Sequence, residues 1–66
     1  MRELAERVKR LRKRERLSIE AMSKQTGISM GAISYWENGK GDIKGDQLLT
    51  LAKFFECSTD YLLGND

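Results

Sequence analysis

Thr26-Gly27-Ile28-Ser29-Met30-Gly31-Ala32-Ile33-Ser34-Tyr35-Trp36-Glu37-Asn38-Gly39 reads as a turn, a helix start, a short helix and a helix stop. Gly27 can take the left-handed conformation that closes a preceding helix, because it has no Cβ to clash. Ser29 is a preferred N-cap, since its hydroxyl accepts one of the backbone N–H groups that a helix start leaves unpaired. Ile33 and Trp36 fall three apart and share an inward face, with Ala32 beside them. Met30, Gly31, Ser34 and Tyr35 are left facing outward, and Gly39 and Gly41 end the segment.

Upstream, Leu4, Val8 and Leu11 stand at helical spacing and predict a first helix over about 2–14. Glu15-Arg16-Leu17 breaks it, with Leu17 turning inward. Ser18 is the next N-cap, and Ala21 and Met22 face inward on a second helix over 18–26. The third helix covers 29–37, and a polar, glycine-rich loop follows to Gly45. A fourth helix over 46–56 carries Leu48, Leu51, Ala52 and Phe55 inward. Cys57 comes next as a small buried hydrophobe, and Ser58 opens a last helix over 58–63 that carries Leu62 and Leu63 and stops at Gly64. There is no proline and no strand-like alternation. The expectation is an all-α fold, five short helices around one core, as a single domain over residues 1–66.

The run Leu17-Ser18-Ile19-Glu20-Ala21-Met22-Ser23-Lys24-Gln25-Thr26-Gly27, followed by Ser29, Ala32-Ile33-Ser34 and Trp36-Glu37-Asn38-Gly39-Lys40, resembles the phage-repressor/Cro-like helix-turn-helix family. Arg7-Val8-Lys9-Arg10-Leu11-Arg12 is similar to that family's first helix, and Leu48 to Gly64 to its last two. The resemblance covers nearly the whole chain in register. It implies a compact five-helix bundle of the lambda-repressor-like DNA-binding type, with the helix-turn-helix in helices two and three.

Composition narrows the field from another side. A chain of 66 residues buries only about 60% of its unfolded surface, so its core is small and its stability modest. No apolar run approaches the roughly 20 residues that span a bilayer, and the N-terminus lacks a signal-peptide core. One cysteine without a disulfide partner suits a reducing compartment. Bacterial or phage-infected cytoplasm is then the expected location, its second half resting on the family. The net charge of +2 conceals an asymmetry: residues 1–16 carry +5 and the rest −3. A basic segment suits a polyanion; it also suits a solvated helix face laced with pairs such as Glu3–Arg7 and Glu6–Arg10.

Catalysis lacks its parts. The chain has no histidine, the commonest general base and metal ligand, and its carboxylates are scattered singly. Gly39-Lys40-Gly41 has neither the preceding strand nor the spacing of a phosphate loop, and residues 42–46 are too sparse for calcium. No enzyme activity, metal, nucleotide or other cofactor is expected, and no membrane partner.

The leading expectation is a sequence-specific regulator of transcription, a repressor that binds a two-fold double-stranded DNA operator as a homodimer with helix three in the major groove. The base-reading set is Ser29, Met30, Gly31, Ser34 and Tyr35, the last within reach of a base or a phosphate. Ser18, Ile19, Asn38, Lys40, Lys44, Arg10 and Lys13 form the DNA-backbone set. The resemblance further implies an ion pair between Arg12 and Glu37 behind helix three. It also places Tyr61 and Ile43 where relatives make dimer contacts, though Tyr61 suits a lid over the small core equally well. Relatives often carry glutamine where Ile19 stands, and arginine, glutamine or asparagine where Met30 and Gly31 stand. These departures give weight to an alternative, an adaptor or toxin-binding antitoxin that keeps the fold without reading an operator; a structural bundle with no specific partner is the third reading.

Overall fold

Serines and left-handed residues punctuate this chain. The computed structural model describes residues 1–65 as five helices: α1 (Arg2–Arg14), α2 (Ile19–Thr26), α3 (Met30–Glu37), α4 (Gly45–Phe55) and α5 (Thr59–Leu63). Ser18, Ser29 and Ser58 stand outside α2, α3 and α5 as N-caps, each accepting the backbone N–H three residues on, at 3.0, 3.1 and 2.9 Å. This is why those three helices open one residue later than the spacing suggested. Helix α4 opens and closes one residue early, because Lys44 takes its cap position and Glu56 its left-handed stop.

Four of the five helices end alike. In a Schellman motif two backbone N–H groups beyond the helix return to its last turn, around one left-handed residue. Gly39 fills that place after α3, its N–H reaching the Trp36 carbonyl at 2.9 Å while the Lys40 N–H reaches Tyr35 at 3.2 Å. Gly64 does the same after α5. After α1 and α4 the left-handed residues are Arg16 (φ 57) and Glu56 (φ 55), which are not glycines. The motif turns the next residue back toward the helix. Leu17 and Cys57 therefore pack against the core, although both are half-buried rather than fully covered. For Cys57 this corrects the expectation of a buried side chain.

The core draws on every helix. Leu4, Val8, Met22, Ile33, Leu51 and Leu62 are fully buried, with Leu11, Trp36 and Phe55 nearly so. Ala5 and Ile28 belong to it as well, beyond the residues that periodicity named. Each large side chain of this set contributes roughly 1.5–3 kcal/mol by leaving water. Helix α1 packs on α3 and α5, α2 on α3 and α4, and α4 on α5, so α3 is backed by α1 and α2. On the outer face of α1, Glu6 pairs with Arg2 at 3.3 Å rather than with Arg10. Arg7 reaches away to α5, where Nη1 donates to the Tyr61 carbonyl at 2.7 Å. Among the described residues no helix is long and apolar enough to cross a membrane.

Candidate nucleic-acid interface

Helices α2 and α3 are joined by a three-residue turn, and its geometry follows from Thr26 and the turn residues Gly27, Ile28 and Ser29. Gly27 (φ 77) closes α2 with its N–H on the Ser23 carbonyl at 2.9 Å. The Thr26 hydroxyl donates to the Met22 carbonyl at 2.8 Å and accepts the Ile28 N–H at 3.2 Å. Ile28 is buried and anchors the turn, and Ser29 begins α3.

The inner side of α3 is fixed by packing and charge. Ile33 and Trp36 are buried, and Ala32 packs against the same cluster. Glu37, at the last position, is the one charged residue that is buried among those described. Arg12 of α1 holds it through Nε to Oε2 at 2.7 Å and Nη2 to Oε1 at 2.9 Å. This hydrogen bonding raises the Arg12 pKa above its ordinary value, outweighing the desolvation that lowers it.

The outer side is left open. Met30 and Tyr35 each keep 48% of their surface in solvent, and Gly31 and Ser29 are exposed. Ser34 is half-buried, because the Asn38 Nδ2 donates to its carbonyl at 2.9 Å and to its hydroxyl at 3.3 Å. Asn38 is thus turned toward Ser34, with its amide donors engaged. The Ser18 and Ser29 hydroxyls accept cap bonds and still have their own protons to donate outward.

The expected backbone set comes from α1, the start of α2 and the loop after α3. Ser18 caps α2, and Lys40 and Lys44 are exposed in the loop 38–44 between α3 and α4, Lys44 at its end. Arg10 and Lys13 are exposed on α1. Ile19 differs: it is half-buried against the core and brings no polar side-chain atom. Lys44 opens α4, where its N–H donates to the Gln47 Oε1 at 3.3 Å. Ile43 and Tyr61, at the expected dimer positions, are half-buried against the core. The Arg7 guanidinium lies over the Tyr61 ring, 4.5 Å from its centroid. Nothing local in the sequence signals that contact between residues 54 positions apart. Cys57 is free, and burial pushes its thiol pKa up, which disfavours the reactive thiolate.

Two short capped helices across a left-handed turn, backed by three supporting helices, define a helix-turn-helix domain. The chain belongs to the phage-repressor/Cro-like helix-turn-helix family; the family model described as helix-turn-helix matches residues 8–62. That family consists of DNA-binding regulators, not enzymes. Over 63 residues the chain is 40% identical to repressor protein C2 of Salmonella phage P22, covering 96% of this chain and 29% of that protein. It is 36% identical to the HTH-type transcriptional activator BcrR of Enterococcus faecalis over 64 residues, 97% of this chain and 31% of the other. It is 30% identical over 59 residues to the uncharacterized HTH-type transcriptional regulator YobD of Bacillus subtilis, 89% of this chain and 53% of the other. The chain thus spans about a third of the first two relatives and about half of the third. No solved structure matches it.

Proposed function

We propose that this chain is a sequence-reading DNA-binding unit that represses transcription, two copies docking on a two-fold operator with α3 of each in the major groove. The observation that carries the reading is α3 itself, held from behind by Ile33, Trp36 and the Arg12–Glu37 pair while Met30 and Tyr35 stay half in solvent. A helix is roughly 10–12 Å across with its side chains, and the major groove is about 12 Å wide. Ser29, Met30, Gly31 and Ser34 face the base edges, with Tyr35 beside them. Phosphates are held by Ser18, Lys40 and Lys44, by Arg10 and Lys13 from α1, and by N–H groups opening α2 and α3. In that set Ile19 offers only its backbone, and Asn38 acts by orienting Ser34. Repression, and a bacterial or phage-infected cytoplasm as its setting, rest on the likeness to the phage repressor.

Selection of bound sites from random duplex DNA tests this. A two-fold consensus is expected, its half-sites about one helical turn apart. Enrichment of no sequence at all overturns the reading in favour of a protein-binding adaptor or antitoxin. A reporter fused downstream of the selected site then distinguishes repression from activation.

A further inference from the structure

Gly41 was expected to help end α3, yet its backbone is not left-handed and Gly39 alone makes the stop. Its lack of a side chain serves another purpose. The Lys40 N–H bond to the Tyr35 carbonyl folds the chain back, so the next residue passes over the side chain of that same tyrosine. A Cβ built on Gly41 would collide with Tyr35 Cε2 and lie 2.6 Å from both Cζ and the hydroxyl oxygen. Only glycine leaves room for the ring there. The tyrosine has one flank on the Gly41 backbone and still keeps 48% of its surface in solvent.

The direction of that ring decides what it can touch. Base edges are read from the N-terminal part of a recognition helix, and side chains on a helix ordinarily lean that way. Tyr35 stands in the C-terminal half of α3, and its hydroxyl lies against residue 41, in the loop 38–44 that also carries Lys40 and Lys44. Resting on the DNA-binding reading above, we infer that Tyr35 serves the DNA backbone rather than a base edge, and that Gly41 is the positioning residue that holds it there. The phenol donates its proton to a phosphate oxygen beside the lysines. Such a contact fixes the seating of α3 and carries no sequence information.

The test uses the whole chain and the duplex obtained by selection, with Tyr35→Phe, Gly41→Ala, both together, and Gly45→Ala as a control whose Cβ would meet nothing within 4 Å. The displaced group is the mobile end of a half-exposed side chain, so Gly41→Ala folds, with a melting temperature close to that of the control. It and Tyr35→Phe each weaken binding about tenfold, within the range of single contacts. The double variant is no worse than either, since both remove one contact. The loss is uniform when single base pairs of the site are exchanged. In the free protein, nuclear Overhauser contacts join the Gly41 Hα protons to the Tyr35 ring, and they vanish in Gly41→Ala. Losses that add in the double variant, a loss confined to one base-pair position, or binding of Gly41→Ala equal to wild type overturns the inference alone. Failure of the wild type to enrich any duplex overturns the DNA-binding reading and takes this inference with it.

Discussion

Arg12 on α1 and Glu37 at the end of α3 form a two-pronged ion pair, with 2.7 and 2.9 Å between their bonded atoms and only 5% of the Glu37 side chain in solvent. A third bond runs from Arg12 Nη1 to the Leu17 carbonyl at 2.7 Å. One guanidinium therefore ties together α1, the turn into α2, and the back of α3. The flat fork suits this task, and an ammonium could not reproduce it.

Removal of one partner from such a pair leaves a buried charge unmatched and costs about 3–5 kcal/mol. A domain of this length has roughly 0.05–0.15 kcal/mol of stability per residue, or about 3–10 kcal/mol in all. Arg12→Ala is therefore expected to be largely unfolded on warming. Arg10→Ala, on the exposed face of the same helix, is expected to stay within about 0.5 kcal/mol of wild type. Thermal unfolding of the two variants side by side checks this, and equal melting temperatures would refute it.

The two non-glycine helix stops offer a gain rather than a loss. Arg16 and Glu56 hold left-handed conformations that cost an L residue roughly 1–2 kcal/mol, against roughly 0.5–1 kcal/mol of extra chain entropy for glycine. Arg16→Gly and Glu56→Gly are each expected to stabilise by up to about 1 kcal/mol, a rise of a few degrees in Tm. Alanine at either position should give no such rise. Calorimetry decides the matter.

Binding to DNA should depend steeply on salt. For two copies neutralising about six phosphates, the slope of log K against log salt is expected near −5. Lys40→Ala flattens it by about one unit for each charge removed from the complex. An affinity indifferent to salt between about 50 and 200 mM would place the partner elsewhere than the phosphate backbone.

The outer face of α3 carries no arginine, so bidentate reading of guanine is absent from its repertoire. Met30 offers apolar contact to thymine methyl groups, and Gly31 lets the helix backbone approach closely. The selected site is expected to be rich in A·T pairs opposite Met30, with part of its specificity from DNA shape. Met30→Ala should relax the thymine preference there by about 1 kcal/mol. Selection repeated with Met30 and Ser34 exchanged together must return a changed consensus if α3 is the reader.

Pairing of two copies is expected to be weak in solution and cooperative on the operator. Tyr61, gripped by Arg7 through its carbonyl and its ring, and Ile43 are the proposed contacts. Sedimentation at micromolar concentration should find monomer, and titration of a full operator should find two copies binding steeply. Tyr61→Ala should leave half-site binding intact and remove the steepness. A full operator that fills one independent copy at a time would contradict this.

Local chemistry made much of this domain legible beforehand. Serines at 18, 29 and 58 announced helix starts because a hydroxyl caps its own neighbourhood, and Gly27, Gly39 and Gly64 announced stops because only a missing Cβ makes the left-handed turn free of strain. The spacing of Leu4, Val8 and Leu11, and of Ile33 and Trp36, fixed their inward faces, as helical geometry is set within one turn. Tertiary structure alone decided the rest. The stops at Arg16 and Glu56 oppose local preference and persist because Leu17 and Cys57 pack inward behind them. Residues on α1 and α5 met as Arg7 and Tyr61, and Gly41 proved to be a seat for Tyr35 rather than a helix stop. Such contacts depend on where distant or folded-back segments come to rest, and no periodicity within a single helix encodes that.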